Sequence, residues 1–558
     1  MIGIKKGRKI KFNFRIDFWT VIKIITVISL LLFLIYPFSK LIISSFLPQK
    51  GNNFTLSNYE DFFKLKYYFS TLKNSLSVSI IATIAATIIG VPLAYIMTRY
   101  NVIGKKVINI LIIMSLMSPP FIGAYSWILL LGRNGVVTKF FKLIGITTPP
   151  IYGFFGIILV FTLKFFPYVY LYVSGAMSSI DRSLEEAAES LGSNKIRRFL
   201  TITLPVVMPT LAAGSVMVFM SSLADFGTPM LIGEGFKVLP VLVYQEYMSE
   251  MGGNANMAST LSVIVVTCST AVLLLQKYIV SRKNYVMTAM RPPLVVQLKT
   301  SKRILLSFLC YLVAGIAFLP QLVVIVTSFI KTNGPIFVKG FSLESYHTIF
   351  YKLSRNITNT FVFSLAAIVI IVIMGMLISY VIVKQKNKFT ALIDILIMFP
   401  YVIPGAVLGI SLLVSFNKAP LLLAGTPIIM IIAYVVRKLP YTVRSTTGIL
   451  YQIDPSIEEA SINLGVSPMK TFFKVTARLM APGVFSGAIL SWITTINELS
   501  SSVMLYTGKT ATISVAIYTE VVRNSFGTAA ALASILTVST ILSLVIFMVV
   551  SKGKVSVI

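Results

Sequence analysis

The chain contains the stretch Asp181-Arg-Ser-Leu-Glu-Glu-Ala-Ala-Glu-Ser-Leu-Gly192 and a second copy that reads Asp454-Pro-Ser-Ile-Glu-Glu-Ala-Ser-Ile-Asn-Leu-Gly465. A constant offset of 273 positions, 454 minus 181, aligns the Asp, the Ser, the Glu-Glu-Ala triplet and the Leu-Gly pair of the two copies. Each copy is a polar segment in a chain that is otherwise mostly apolar. The stretch is therefore one unit of an internal repeat.

Each copy predicts a capped helix, a tight turn and a second, basic helix. We expect Ser183 and Ser456 to be the N-caps, with the acidic pairs in the first turn, where the helix dipole favours negative charge. Gly192 and Gly465 can then end the helix in a left-handed conformation. A merely well-capped loop would explain a single copy equally well, but two copies at equivalent positions favour a functional elbow.

The two stretches resemble the "EAA" coupling motif of ABC-importer permeases, which is Glu-Ala-Ala, three residues, Gly, and about a dozen residues to a Pro-containing membrane entry. The second copy departs from it with Ser461 at the second Ala and Arg478 where Pro205 would fall. In that family the elbow docks into a groove on the ATP-hydrolysing subunit and transmits its closure to the membrane helices. The resemblance implies ATPase coupling by Glu185, Glu186, Ala187, Gly192, Glu458, Glu459, Ala460 and Gly465.

The composition is that of a polytopic membrane protein. Of 558 residues, 56% are hydrophobic and 12% charged, and the mean hydropathy is +0.87. The formal charge of +31 does not indicate nucleic-acid binding, because basic residues of a membrane chain collect on the cytoplasmic side and face anionic lipid. Cys268 and Cys310 lie in apolar runs and His347 is the only histidine, so we expect no disulfide framework, no zinc or histidine-cluster metal site and no cofactor bound by this chain.

The fold class predicted is an all-α polytopic membrane protein, with about twelve transmembrane helices in two parallel-duplicated halves of six. A run of basic residues within 1–17 predicts a cytoplasmic N-terminus, and the even count returns the C-terminus to the same side. We therefore expect a multi-pass protein with both termini in the cytoplasm, and the resemblance to ABC-importer permeases implies the bacterial inner membrane. The predicted spans are 18–47, 71–98, 105–132, 152–176, 204–224 and 259–280, then 305–330, 358–383, 390–415, 420–436, 481–503 and 528–551.

Three predicted regions follow from this count. The first permease repeat is 1–280, with its elbow near 181–200, and the second is 305–558, with its elbow near 454–473. Between them lies a basic cytoplasmic linker, 281–304, which contains Pro292-Pro293 and so cannot continue a helix. Both elbows and the linker fall on the cytoplasmic side.

The repeat extends beyond the elbows, so one chain supplies both halves of a pore about an axis along the membrane normal. The offset is 285 upstream of the elbows and 273 downstream, which places a surplus of 12 residues in the first half, in the outer loop around 133–150. The matched pairs are Asn74/Asn359, Gly90/Gly375, Tyr95/Tyr380 and Pro119/Pro404 upstream, and Pro209/Pro482, Gly214/Gly487 and Asp225/Glu498 downstream.

The sequence contains no catalytic constellation, so we expect a transport subunit and not an enzyme. Gly508-Lys509-Thr510 ends like a phosphate-binding loop, but Val503 stands where that loop needs its first glycine. The energy must come from another subunit that uses ATP, or from an ion gradient.

The pathway candidates are carboxylates and phenols at repeat-equivalent positions. Asp225 and Glu498 end equivalent spans, where a carboxylate is costly unless it faces a wet cavity or a partner. A helix cap or a headgroup position would explain them equally well. Weaker candidates are Tyr244, Glu246, Tyr518 and Glu520. Such oxygens would suit a hard cation.

The segment from Leu223 to Pro229 is similar to the corresponding segment of ferric-iron permeases, the fused two-repeat subfamily of ABC importers. The resemblance implies Fe(III) as substrate, an extracytoplasmic solute-binding protein, a homodimeric ATP-binding subunit on the cytoplasmic side, and alternating access. Permeases for thiamine, polyamines, phosphonates or sulfate share the architecture. An ion-coupled secondary transporter is more remote because it would not need two elbows, and a structural scaffold would need neither elbows nor paired carboxylates.

Overall fold

A computed structural model of the chain describes residues 18–49, 51, 53–119, 121–147, 149–249, 253–281, 294–334 and 336–550. The basic segment 1–17, Pro292-Pro293 of the predicted linker and the C-terminal lysines, Lys552 and Lys554, lie outside these residues.

Eight principal helices form the first half. Four shorter helices, Ser57–Lys64, Val136–Leu143, Gly227–Ile232 and Leu239–Met248, lie in its connections. The principal helices are α1 (Phe18–Ser45), α2 (Lys66–Arg99), α3 (Lys105–Leu116), α4 (Ile122–Leu131), α5 (Phe154–Ser178), α6 (Arg182–Ser190), α7 (Lys195–Ala224) and α8 (Ala255–Ser281).

The second half repeats these eight helices in the same order, so that α9 corresponds to α1 and α16 to α8. Its shorter helices are Glu344–Lys352, Ser502–Leu505 and Ile513–Val522. The principal helices are α9 (Thr300–Thr327), α10 (Ser354–Lys384), α11 (Lys388–Val402), α12 (Gly405–Ser415), α13 (Pro427–Leu450), α14 (Pro455–Asn463), α15 (Pro468–Ile496) and α16 (Phe526–Val550).

Nine of the helices in the described part of the chain are long and apolar enough to cross a membrane, and the bent pair α11–α12 adds a tenth if it is one span. The other two elements of the predicted twelve are the pair α3–α4 and helix α13. Helix α13 is long enough, but it carries Arg437, Lys438 and Arg444. Because of these three charges, α13 is not among the helices that are apolar enough to cross a membrane.

Two predicted spans are not continuous helices. The span predicted over 105–132 stops after Leu116 and restarts at Ile122, with Phe121 between them in the left-handed region at φ 68°. The span predicted over 390–415 bends by 108° between α11 and α12, at Ile403-Pro404. Proline lacks an N–H and forces the residue before it into extended backbone, which ends α11. The span predicted over 420–436 begins later, at Pro427, and continues to Leu450.

Close glycine contacts hold the same two helices together in each half. A Cβ at Gly214 of α7 would lie 3.2 Å from the Cα of Val169 on α5. Its counterpart at Gly487 of α15 would lie 2.6 Å from the Cα of Thr442 on α13. Since 169 and 442 differ by the repeat offset of 273, the two halves share their helix packing as well as their sequence pattern.

We call the end of the protein that carries the elbows the elbow side, and the opposite end the far side. The two halves differ in their connections on the far side. A two-stranded antiparallel hairpin, β1 (Ile330–Asn333) and β2 (Ile336–Phe341), follows α9 and adds a small β element to the expected all-α fold. Helix Val136–Leu143 lies in the first-half connection between α4 and α5. The starts of α4 and α12 differ by 283 positions, whereas the starts of α5 and α13 differ by 273. The offset between the two halves therefore changes in this connection.

Candidate functional site

Both elbows form, and their caps differ from the prediction. The N-caps are Asp181 and Asp454, not Ser183 and Ser456, because each Asp carboxylate accepts a hydrogen bond at 2.9 Å from the backbone N–H of the Ser two residues later. A carboxylate also adds negative charge at the positive end of the helix dipole. The hydrogen bond from the Ser456 N–H holds the pKa of the Asp454 carboxyl below its usual range.

The predicted glycine turns are confirmed. Gly192 has φ 79° and Gly465 has φ 84°, in the left-handed region that residues with a Cβ rarely adopt. The space around both positions is open, since a Cβ at either would meet nothing within 4 Å. The requirement for glycine is therefore one of backbone conformation and not of packing.

Glu185 of the first elbow faces its own half of the protein. Its carboxylate forms an ion pair with Arg99, the last residue of α2, and accepts a hydrogen bond at 3.3 Å from Thr203. Thr203 belongs to a single π-helical turn at the base of α7. Arg99 is buried, whereas the Glu185 side chain is 24% exposed, so the pair lies at the edge of the protein interior. Glu185 thus ties α6 to both α2 and α7.

Glu458 of the second elbow makes the same two contacts. It pairs with Lys384, the last residue of α10, at 3.0 Å, and it accepts a hydrogen bond from Thr476 in the π-helical turn at the base of α15. Lys384 lies 285 positions after Arg99, and Glu458 and Thr476 lie 273 after Glu185 and Thr203. The repeat therefore preserves a three-helix contact whose basic member changes from Arg to Lys.

The remaining motif residues face outward on the elbow side. Glu186 is 44% exposed at its side chain and, among the residues that the structure describes, its one ion pair is with Arg182 of its own helix; Glu459 is exposed. At the tips of the elbows Leu191 is 89% exposed and Leu464 is 85% exposed. Ala187 and Ala460 are exposed as well. Each elbow thus presents an acidic and apolar surface.

Asp225 and Glu498 line one central cavity of about 260 Å³, together with residues of both halves. Asp225 forms an ion pair at 2.8 Å with Lys164 of α5, and its other oxygen accepts a hydrogen bond at 2.8 Å from the backbone N–H of Thr228. The carboxylate therefore both accepts a hydrogen bond from the first turn of the short helix after α7 and forms an ion pair at the cavity.

Glu498 has two basic partners where Asp225 has one. Arg437 lies 2.8 Å from one carboxylate oxygen and Lys438 lies 2.7 Å from the other, and the N–H and hydroxyl of Ser501 also donate to the first oxygen, each at 3.1 Å. Arg437 is the repeat counterpart of Lys164. The counterpart of Lys438 is Phe165, so the second half carries one additional cation.

A second cavity, of about 580 Å³, shares lining residues with the first, among them Tyr168 and Tyr441, which are repeat counterparts. It reaches Gly448 and Gln452, near the end of α13 that leads into the second elbow. The two cavities together extend from the Asp225 and Glu498 carboxylates toward the elbow side.

Four aromatic side chains from the two halves contact one another, and one of them, Phe226, follows Asp225 directly in the chain. The ring of Phe121 stacks on that of Tyr518 with centroids 5.4 Å apart, and Phe226 contacts Tyr244 at 5.0 Å. The Tyr244 and Tyr518 rings meet edge to face at 6.3 Å. We call these four residues the aromatic cluster. The cluster contains residues of both halves. Two of them, Tyr244 and Tyr518, are pathway candidates from the sequence.

The two weaker carboxylate candidates lie outside the described lining of both cavities. Glu246 accepts a hydrogen bond at 3.1 Å from the hydroxyl of Tyr68, and Glu520 pairs at 3.2 Å with Arg523. Among the residues that the structure describes, no group of three or more His, Cys, Asp or Glu side chains is placed to hold a metal ion.

The basic partners are the functional residues that the sequence analysis missed. Lys164 lies inside the predicted span 152–176, and Arg437 lies one residue beyond the predicted span 420–436. Two features of the sequence could have identified these residues. The 273-residue offset relates Lys164 to Arg437, and a lysine within an apolar span is rare unless it has a function.

The chain matches a known protein family twice. The model described as "Binding-protein-dependent transport system inner membrane component" covers residues 86–285 and 371–555. The ferric transport system permease protein FbpB of Actinobacillus pleuropneumoniae is 29% identical over 525 residues, which cover 92% of this chain and 75% of that protein. The putative ferric transport system permease protein FbpB 1 of Haemophilus influenzae is 28% identical over 501 residues, 87% of this chain and 77% of that protein.

Some relatives match less than half of the chain. The spermidine/putrescine transport system permease protein PotB of Haemophilus influenzae is 30% identical over 220 residues, 38% of this chain and 76% of that protein. A solved bacterial ABC transporter involved in the import of the acidic polysaccharide alginate is 19% identical, with a TM-score of 0.41 over 48% of this chain and 96% of that chain.

The two family matches fall on the two repeated halves and together cover more than half of the chain. This finding removes the ion-coupled transporter and the structural scaffold from the alternatives. With its apolar helices, the chain is a multi-pass inner-membrane transport subunit. It belongs to the binding-protein-dependent transport system inner membrane components, the permeases of ABC importers, and carries two permease repeats in one polypeptide.

Proposed function

We propose that this ABC-importer permease transports Fe(III). The proposal rests on the share of this chain that aligns with each relative. The two ferric permeases align with both halves, over 92% and 87% of this chain, whereas the spermidine/putrescine permease aligns over 38%. A fused two-repeat chain is thus shared with ferric permeases.

In this proposal the elbow side is cytoplasmic, and so are both termini. A solute-binding protein delivers the substrate at the far side, and the substrate passes the aromatic cluster, enters the central cavity between Asp225 and Glu498, and leaves through the second cavity. In the proposal the aromatic cluster closes the far side and the second cavity leads toward the elbow side, which would be the inward-facing stage of alternating access.

ATP hydrolysis, in the proposal, takes place in a separate homodimeric subunit that docks on both elbows. Two elbows with the same caps, turns and outward-facing residues would present equivalent surfaces to two identical subunits. The outward-facing residues are Glu186, Ala187, Glu459 and Ala460, with Gly192 and Gly465 setting the turns. Glu185 and Glu458 have a different task, since each ties its elbow to two membrane helices.

The test of the substrate is uptake of ⁵⁵Fe by proteoliposomes that contain this chain with its co-purified ATPase and binding protein. The proposal predicts ATP-dependent iron uptake that excess unlabelled spermidine or thiamine does not inhibit. ATP-dependent uptake of labelled spermidine or thiamine without uptake of iron would contradict it and leave the family assignment intact.

A further inference from the structure

The central cavity carries a surplus positive charge. Its described lining contains three cations, Lys164, Arg437 and Lys438, and two carboxylates, Asp225 and Glu498. Arg444 is the only charged residue in the described lining of the second cavity, and Asp394 neutralises it at 3.2 Å. One positive charge therefore remains without a countercharge along the route.

Neither carboxylate has an oxygen free to bind a cation. Both oxygens of Glu498 are occupied by basic side chains, and Ser501 supplies two further donors. Asp225 is occupied at one oxygen by Lys164 and at the other by the Thr228 N–H. A bare ferric ion would have to displace ammonium or guanidinium groups and would be repelled by the surplus charge.

Lys438 is the source of the surplus. It is 5% exposed, and burying a lysine is costly unless its charge is used. Glu498 does not require it for neutralisation, because the first half pairs Asp225 with Lys164 alone. The repeat counterpart of Lys438 is Phe165, so the added cation is a feature of one half and not of the fold.

We infer that the cavity accepts its cargo as an anion, so that Fe(III) enters enclosed by oxyanion ligands, such as phosphate or a carboxylate chelator, and not as the free cation. The inference rests on the proposed function and specifies the chemical form of its substrate. Arg437 and Lys438 would contact the oxyanion oxygens from one half of the chain, and Lys164 from the other. The phenol hydroxyls of Tyr168 and Tyr441 can donate further hydrogen bonds.

The experiment measures uptake of two labels in the reconstituted complex. Proteoliposomes receive binding protein loaded with ⁵⁵Fe together with ³²P-phosphate or, in a second arm, ¹⁴C-citrate. The variants are Lys438→Met, which leaves Glu498 paired with Arg437 as Asp225 is paired with Lys164, and Lys438→Arg, which keeps the charge. Lys64→Met, at an exposed far-side lysine, is the matched control.

The expected result is that one anion label enters with iron at a fixed ratio. Loss of one charged contact to the cargo lowers the uptake of both labels by roughly tenfold in Lys438→Met. Lys438→Arg and Lys64→Met should transport like wild type. Iron uptake without either anion, or unchanged uptake by Lys438→Met, would overturn the inference while leaving iron as substrate. Uptake of phosphate or citrate without iron would overturn the proposed substrate and support an anionic cargo.

Discussion

The guanidinium of Arg437 lies over the Cα of Gly405, in the space that a side chain at that position would occupy. A Cβ on Gly405 would stand 1.4 Å from the Nη1 atom of Arg437, which is the atom that contacts Glu498. Gly405 is the first residue of α12, immediately after the bend at Pro404. The break in the apolar run α11–α12 thus makes room for one ion pair of the central cavity.

Gly405→Ala should displace Arg437 and weaken its contact with Glu498. The loss of a charged hydrogen bond should destabilise the protein by about 1–3 kcal/mol and reduce uptake. Thermal unfolding of the detergent-solubilised chain measures the first effect and proteoliposome uptake the second. Gly315→Ala in α9 is the control, since a Cβ there meets nothing within 4 Å and Gly315 lies outside the described lining of both cavities. In an Arg437→Met background Gly405→Ala should add little, and an equal loss there would show that the contact with Arg437 is not the cause.

A charge exchange between Arg99 and Glu185 tests how the first elbow is held. Arg99→Glu alone places two carboxylates together and should detach α6 from the end of α2, lowering binding-protein-stimulated ATP hydrolysis by roughly tenfold, about 1.4 kcal/mol in coupling. Glu185→Arg added to it restores opposite charges and should recover most of the stimulation. Co-purification of the ATPase subunit controls for assembly. If the double variant is no better than Arg99→Glu, the ion pair does not hold the elbow.

Gly192→Ala and Gly465→Ala should each destabilise their elbow, because an alanine in the left-handed conformation costs about 1–2 kcal/mol. The expected result is faster amide hydrogen exchange in α6 or α14, with the membrane helices unaffected. Gly175→Ala in α5 is the matched control, since its space is open and its backbone is not in the left-handed region. Equal exchange rates in Gly192→Ala and wild type would contradict the conformational role of this glycine.

The repeat made much of the architecture predictable. Two copies of a stretch at a fixed offset located both elbows and both cavity carboxylates, because a duplicated chain places equivalent residues at equivalent positions. The identity of the caps was wrong, since an Asp-x-Ser stretch offers two capping side chains and the sequence alone did not distinguish them. Only the structure shows that Asp181 is the one at the N-cap position.

Hydropathy could not reveal the broken helices, because an interruption of a few residues scarcely changes the mean over a membrane-length window. Pro404 marked one break in the sequence, but a proline inside an apolar span also occurs in the continuous helix α5, at Pro167. Lys164 and Arg437 lie 61 positions before Asp225 and Glu498, on different helices from them. Such a pairing depends on how helices pack, which a single sequence does not specify.

The proposed function depends above all on coupling of ATP hydrolysis to transport by the two elbows. The most direct measurement compares binding-protein-stimulated ATP hydrolysis and ⁵⁵Fe uptake by the reconstituted wild type and the double variant Glu186→Lys, Glu459→Lys. Glu60→Lys, at an exposed carboxylate of the far side, is the control for charge reversal. We expect the double variant to insert in the membrane but to lose both activities, while Glu60→Lys keeps them. Normal uptake by the double variant would contradict the claim.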